Sequence, residues 1–508
     1  MFKRIHSMAL IGIEAIMISV EADTLNGLPA FDIVGLPDAA IKEARDRVKY
    51  AIKNSGYKFP SGKVAVNLAP AGYKKEGALY DLPILLAILC ATNQLEGDFS
   101  KKAFIGELAL DGRVRAVNGV LSMAAAAKSY GIEELYVPED NALEAAVLSG
   151  ITIYPVKTVK QLTEHFKGEN TIVPQPISPI KDEEFLYSVD FSEVKGQYAV
   201  KQAIEVAAAG GHNILMIGPP GSGKSMLAKR IPTILPEMTF EESMETTKVH
   251  SAAGKLPKDK ALITTRPFRA PHHSISVAGL VGGGAIPKPG EISLAHNGVL
   301  FLDELPEFGK HAADTLRAPI EDKTITISRA AVSLSYPCSF MLAAAMNPCP
   351  CGFYGHPKKT CSCPTSSVQK YLNRISGPML DRFDIHIEVP AVEYDDLANE
   401  AAEESSEEIR KRVNRARKIQ QERYRGTGVT CNANLTPALL KKHCVLTKAA
   451  DSLLSSVFDE LGLSARAYDR ILKLARTLAD LDGEKHIDMK HISTAITFRN
   501  LDRKYWQA

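Results

Sequence analysis

The stretch GHNILMIGPPGSGKSMLAKRI, residues 211–231, decides how this chain is read. Asn213 to Ile217 is a short apolar run of the kind that forms a buried strand. Ser225 to Ile231 opens a helix. Between them Gly218, Pro219, Pro220, Gly221, Ser222, Gly223, Lys224 and Ser225 fit the pattern G-x-x-x-x-G-K-[ST]. Glycines in such a loop let backbone N–H groups close around phosphates, and the helix N-terminus adds partial positive charge. The pattern expects Lys224 to reach the β- and γ-phosphates of ATP and Ser225 to ligate Mg2+. A mere glycine-rich turn would not explain the Lys-Ser pair.

Outward from this loop, a nucleotide site needs a second carboxylate on the metal side. The run from Asn297 to Glu304 provides one: four apolar residues form a strand that delivers Asp303 to the sheet edge. Asp303 is expected to hold the magnesium through water, and Glu304 to orient and polarise the attacking water. Ser339 to Asn347 is a further buried strand that ends on a polar residue, so Asn347 can bond the γ-phosphate or the lytic water. In GPMLDRFD, residues 377–384, a short helix is followed by Arg382, which can neutralise charge developing on a transferred phosphoryl group. The competing reading of Arg382 is a salt bridge to Asp381 or Asp384.

The flanks have their own organisation. Residues 1–167 alternate strand-like patterns (31–34, 64–68) with helix-like ones (82–91, 121–130). Residues 168–189 contain three prolines and a charge cluster without apolar periodicity, which reads as a linker. Alternation resumes over 190–390, and residues 391–508 are mostly helical. In 463–481, Leu463, Ala467, Ile471, Leu474, Leu478 and Leu481 recur at helical spacing and mark one buried face. The basic block at 410–425 reads as a solvated helix with apolar contacts from Ile409, Val413, Ala416 and Ile419. The competing reading is a nucleic-acid arm.

The chain has 508 residues, 45% hydrophobic and 24% charged, which excludes wholesale disorder and fibrous repeats. Lys and Arg number 61 against 59 Asp and Glu, a formal net charge of +2, so any basic surface must be local. The apolar start at 1–23 imitates a signal peptide, but Glu14 interrupts it and no small-residue cleavage site follows, so strands are expected there. No apolar run is long enough for a transmembrane helix. A reducing cytoplasm is the expected location, with no membrane partner.

Four of the eight cysteines cluster: Cys349, Cys351, Cys361 and Cys363 form two C-x-C pairs. Four thiolates can close a tetrahedral Zn2+ site, although C-x-x-C is the commoner spacing. His356 is a spare ligand, and free structural thiols are the competing reading. Cys90, Cys338, Cys431 and Cys444 are scattered and read as small core residues. His272 and His273 are adjacent. Neighbours in a strand face opposite ways, which argues for a structural or DNA-facing role rather than a metal site.

The order of phosphate loop, Asp-Glu strand, Asn-ended strand and GPMLDRFD resembles an AAA+ ATPase. RPFRAPHHSIS at 266–276, GEISLAHNGVLFLDEL at 290–305, NPCPCG at 347–352 and ISGPMLDRFDIHIEVP at 375–390 resemble the magnesium-chelatase-like ATPases. End to end, the chain resembles the YifB/ComM proteins. The resemblance implies an α/β architecture: an N-terminal Lon-protease-like (S5-type) α+β domain over 1–167, an AAA+ core with a parallel sheet over 190–390, and a helical lid over 391–508. It also implies that Asn347 is sensor 1, that Arg382 is an arginine finger with Arg374 as second candidate, and that Arg466 is sensor 2. Arg329, at the tip of the strand–turn–strand pattern 324–336, and Lys288, in the glycine-rich loop 281–290, become DNA-contact candidates, the competing reading of Arg329 being an ordinary surface arginine of a hairpin. Arg266 and Arg269 are further cations for a pore.

KKEGALYDLPILLAIL at 74–89 and FIGELALDGRVRAVNGV at 104–120 are similar to the Lon peptidase fold. The peptidase's serine falls on Leu79 and its lysine on Leu121. Leucine can neither attack a carbonyl nor hold a proton, so a scaffold or DNA-interaction role is implied instead. Some members of the family are branch-migration helicases acting in natural transformation. The resemblance therefore implies an ATP- and Mg2+-dependent motor on single-stranded or branched DNA, working as a hexameric ring of copies of itself. The alternative is a chelatase-like ATPase that remodels a protein partner.

Overall fold

In the computed structural model, contacts divide the chain into two compact units, Met1–Asp182 with Ser243–Ile263, and Glu183–Glu242 with Thr264–Ala508. The structure describes residues 2–178, 187–284, 287–329, 332–391, 403–461, 463–499 and 505–506. The acidic run that the sequence shows from Glu393 to Glu408 lies mostly outside these residues, and positions 330–331 of the strand–turn–strand pattern lie wholly outside them.

In the first unit the apolar N-terminal residues form two strands, Lys3–Ile11 and Glu14–Leu25, paired as a tight antiparallel hairpin. They sit in a seven-stranded mixed sheet. Its order is Ala30–Val34, Lys63–Ala69, Glu14–Leu25, Lys3–Ile11, Lys102–Phe104, Glu134–Pro138 and Thr152–Val156. The helix Asp81–Ala91 is buried on every side. That explains why DLPILLAILCA lacks a polar stripe: a helix covered all round has no solvent face to mark. Leu79 is partly buried, wedged between two apolar clusters, and Leu121 is fully buried.

Residues 243–263 lie within the range expected for the nucleotide core, yet they pack with this first unit. Ser251 explains the placement. Its hydroxyl accepts from the Gly119 N–H at 2.9 Å and donates to the buried Glu144 carboxylate. Leu262 fills the remaining space against Leu121 and Val147. The start of the expected linker is also tied down here, because the N–H groups of Gln175 and Ser178 donate to the carbonyls of Ile153 and Ala146.

The second unit is built on five parallel strands. Their order is Phe268–Arg269, Val299–Leu302, Met341–Met346, Ile214–Ile217 and Ile385–Glu388. ILMI, VLFL and MLAAAM are buried throughout. Parallel strands covered on both faces read as continuous apolar runs rather than alternating ones. All strands point the same way, so their C-terminal ends bring Gly218, Asp303 and Asn347 to one edge. Helices Ser406–Arg423 and Ala465–Leu481 pack on helix Tyr198–Gly210 behind that edge.

Helix Ser406–Arg423 opens on a capping box between Ser405 and Glu408 and buries Ile409, Val413 and Ala416. Its arginines serve the fold. Arg412 makes bonds of 2.6 and 2.9 Å to the Glu205 carboxylate, and Arg417 donates to the carbonyls of Ala208 and Ala209. The basic block is thus a packed helix rather than a free arm. Cys90, Cys338, Cys431 and Cys444 are buried. Among the described residues no helix is long and apolar enough to cross a membrane.

Candidate nucleotide site

The phosphate loop leaves strand Ile214–Ile217 and enters helix Lys224–Ile234 through Gly223, whose φ of +89° is open to glycine at low cost. Gly218 is required for another reason. A Cβ there would stand 2.2 Å from the Val389 carbonyl oxygen. Lys224 is buried, and its ammonium donates to the carbonyls of Gly218 (2.8 Å) and Pro219 (2.9 Å) and to Asn347 Oδ1 (3.1 Å). Burial pushes the Lys224 pKa down, against the opposing charges of Asp303 and Glu304. The Ser225 hydroxyl donates to Asp303 Oδ2 at 2.5 Å.

The phosphate loop, Asp303 and Asn347 thus meet at one place. The oxygens of Ser225 and Asp303 are hard donors of the type Mg2+ takes, so the residues present fit that ion. The ammonium of Lys224 holds a position that phosphate oxygens would share with the loop carbonyls.

Glu304 follows Asp303 in left-handed backbone at φ +53°, rare for a side chain with a Cβ. Its carboxylate meets His273 Nδ1 at 3.5 Å. The expectation that His272 and His273 face opposite ways is corrected. The strand stops at Arg269, the Ile275 N–H closes a turn on the His272 carbonyl, and the two rings lie 4.1 Å apart. Two neighbours of the site were missed from the sequence. His273 stands in the PHHS stretch, where adjacency of two histidines points to a structural or DNA-facing role and gives no sign of the contact with Glu304. Gln197, in left-handed backbone at φ +55°, donates to the Ser222 carbonyl at 2.8 Å. Its only signal was the Gly-Gln pair before a helix.

The arginines are distributed differently from expectation. Arg382 pairs with Glu321 at 2.6 Å, not with Asp381 or Asp384, and its side chain is 9% exposed. Arg466, 70% exposed, reaches Asp381 at 3.9 Å. Arg466 thus contacts the residue before Arg382, while the Arg382 side chain itself is nearly covered and turned to Glu321. Asp384 is taken by His212 and Arg470. Burial works to raise the Asp384 carboxyl. The His212 hydrogen bond, with the charges of His212, Arg470 and Lys473, outweighs it and holds the group far below the usual carboxylate range. Arg374 pairs with Glu307 at 2.7 Å beside an open cavity of about 740 Å³ that Lys310 and Lys370 also line.

Arg329 and Lys288 come together. Strands Thr324–Arg329 and Val332–Pro337 form a hairpin, and Gly282–Gly283 with Lys288–Pro289 form a second, smaller one. The Tyr336 hydroxyl donates to the Pro287 carbonyl at 2.7 Å, and the Arg329 guanidinium lies over Gly283. Both cations are exposed. Arg266 and Arg269 do not join them. Arg266 bonds Glu242 and the Pro236 and Asn297 carbonyls, and Arg269 makes a two-bond pair with Glu291. Both guanidinium groups brace the edge of the sheet.

Cys349, Cys351, Cys361 and Cys363 gather with all four Sγ atoms within 4.8 Å of one another. His356 is not in the group; its Nδ1 accepts from the N–H groups of Lys358 and Lys359. The N–H of Tyr354 points at Cys349 Sγ (3.3 Å), and those of Phe353 and Ser362 at Cys351. These donors, Phe353 first, pull the Cys351 thiol below its ordinary range.

A parallel sheet with a phosphate loop, an Asp-Glu strand and an Asn-ended strand at one edge defines a nucleotide-binding core of AAA+ type. Three family models match along the chain: magnesium chelatase, subunit ChlI, over 190–397; subunit ChlI of Mg-chelatase over 20–141; and its C-terminal part over 403–499. The chain is 43% identical to competence protein ComM of Haemophilus influenzae over 509 residues, covering 98% of this chain and 97% of that protein. It is 42% identical to YifB of Escherichia coli over 502 residues, with the same coverage. It therefore belongs to the YifB/ComM family of magnesium-chelatase-like AAA+ proteins. A shorter likeness, 28% identity over 131 residues, links 25% of this chain to 20% of the archaeal Lon protease of Methanocaldococcus jannaschii.

Proposed function

We propose that this protein is a Mg2+-dependent ATPase that works as a motor on single-stranded or branched DNA. The observation that carries the ATPase reading is the convergence of Lys224, Ser225, Asp303 and Asn347 at one sheet edge. In this reading Lys224 and the loop N–H groups bind the β- and γ-phosphates. Ser225 and Asp303 hold Mg2+, which supplies charge neutralisation on the phosphate oxygens. Glu304 takes a proton from a water that attacks the γ-phosphorus, the bond to the β–γ bridging oxygen breaks, and ADP and inorganic phosphate leave. Asn347 orients the water or the γ-phosphate.

The converging hairpins with Arg329 and Lys288 support DNA as the substrate, because exposed cations on small loops suit a phosphate backbone. The Arg382 and Arg466 candidates support assembly into a ring, a homohexamer in this reading. Arg466 is exposed, and Arg382 would reach a neighbouring subunit's nucleotide once it leaves Glu321. The Haemophilus relative is a competence protein, which supports a role in recombination or natural transformation with a cytoplasmic location. The Leu79 and Leu121 positions support a non-proteolytic role for the first unit.

The deciding experiment is branch migration on a four-way junction, run beside Lys224→Ala and beside ATP hydrolysis with and without DNA. ATP-dependent strand exchange that the variant lacks is the expected result. Unaltered ATPase rate, no assembly and no junction processing in the presence of DNA would defeat the motor reading. The second reading, a chelatase-like ATPase that remodels a protein partner, is favoured by the ChlI family match over 190–397. It would be supported by ATP turnover stimulated by a captured protein and indifferent to DNA.

A further inference from the structure

Three of the four cysteine sulfurs are separated by 3.4, 3.7 and 3.5 Å (Cys349–Cys351, Cys349–Cys361, Cys351–Cys361), and Cys363 completes the group. A disulfide requires about 2.05 Å, so these are not bonded pairs. Four thiolates around a tetrahedral Zn2+ at about 2.3 Å stand about 3.8 Å apart. The group already has nearly that spacing, and N–H donors aimed at its sulfurs supply the outer support that metal thiolates take.

The position of the group is as informative as its shape. Cys349 is fully buried two residues after Asn347, whose side chain accepts from Lys224. Gly352 lies inside the cluster loop at φ +83°, and a Cβ there would stand 2.4 Å from Pro220 Cδ in the phosphate loop. At the far end of the loop, helix Thr365–Leu372 brings the Tyr371 hydroxyl against the Asn347 backbone. One side of the cluster thus presses on the phosphate loop and the other anchors the γ-phosphate residue.

We propose that the four cysteines bind one Zn2+ per chain and that this ion positions the phosphate loop and Asn347 for ATP. A loop of fifteen residues with little regular structure would otherwise be free to withdraw Gly352 from Pro220. A metal closing it at four points removes that freedom. The proposal rests on the nucleotide reading of the site. Its metal half stands separately.

The test uses the full chain, expressed with zinc supplied, and a fluorescent ATP analogue as probe. Elemental analysis is expected to find one zinc per chain, and cobalt-substituted protein to show thiolate charge-transfer absorption. Cys361→Ser with Cys363→Ser is expected to lose the zinc and to bind the analogue about tenfold more weakly, with far-ultraviolet dichroism unchanged. Gly352→Ala separates the two halves, because it keeps all four cysteines. It is expected to retain zinc and still lose about tenfold in analogue affinity.

Wild-type protein without stoichiometric zinc overturns the metal. A zinc-free double variant, or a Gly352→Ala protein, that binds the analogue as tightly as wild type overturns the coupling. If the double variant does not fold, zinc content of the wild type and the Gly352→Ala result decide both halves. Failure of the wild type itself to bind the analogue overturns the nucleotide reading and the coupling with it, while leaving the zinc count to stand.

Discussion

The Glu304 carboxylate meets the His273 imidazole at 3.5 Å, from a backbone held at φ +53° immediately after Asp303. The two adjacent acids therefore aim apart: Asp303 faces Ser225, and Glu304 faces the His-His turn. Left-handed backbone at a non-glycine residue costs of order 1 kcal/mol and persists where its surroundings fix it. Here it turns two neighbouring carboxylates toward different partners.

Glu304→Gln should therefore lower ATP turnover by about 100-fold while leaving nucleotide binding near wild type, since only proton acceptance is lost. His273→Ala should give a smaller loss, about tenfold, because it removes an orienting contact and not the base itself. Single-turnover hydrolysis beside equilibrium binding of ATP separates the two effects. Equal losses in binding and turnover would argue against this division of roles.

Lys224→Ala should abolish measurable turnover, a loss of at least about 100-fold, because it strips the cation from the phosphate oxygens. Asp303→Asn should raise the Mg2+ concentration needed for half-maximal rate by about tenfold or more. A metal titration at fixed ATP reads this directly, and chelation of Mg2+ should stop hydrolysis in the wild type.

The DNA candidates can be separated by salt. Arg329→Ala and Lys288→Ala should each reduce the slope of log affinity against log salt by about 1, whatever the DNA sequence. Fluorescence anisotropy over a salt series checks it. An unchanged slope in both variants would remove the two hairpins from the DNA path.

Asp384 links the parallel sheet to helix Ala465–Leu481 through His212 and Arg470. Its pKa is depressed in the folded protein, so its stabilisation is present above the unfolded carboxylate value near about 3.9 and is lost as pH falls through the folded value. Asp384→Asn should cost about 3 kcal/mol near neutrality, since it leaves buried cations without their counter-charge. Thermal melts from neutral to strongly acidic pH should show the gap between wild type and variant closing on acidification. A gap that is constant with pH would mean that packing, and not charge, accounts for the loss.

Local patterns in the sequence were enough for the phosphate loop, the Asp303 strand and the Asn347 strand. Each is a short apolar run feeding a fixed polar residue, and such information lies along the chain. The same holds for the four-cysteine group, whereas the expected single buried face of 463–481 does not stand: the helix begins at Ala465 and its residues 474–480 are buried on all sides. Long-range pairings were not legible. Nothing near Arg382 announces Glu321, and Arg266 and Arg269 look like free cations until Glu242 and Glu291 fold against them. Nor does the sequence place 243–263 with the first unit, because the attraction of Ser251 for Gly119 and Glu144 acts across more than a hundred residues.

The sequence by itself determined which residues can handle a nucleotide, since that chemistry depends on residue type and close spacing. It also put leucine at positions 79 and 121, where the resemblance to the Lon fold places the peptidase serine and lysine, and leucine can supply neither role. Tertiary structure alone decided which cations stay exposed, where the Glu304 carboxylate points, and that the cysteine loop leans on Pro220. Each of these depends on which groups burial forces to find partners, and burial is a property of the folded chain.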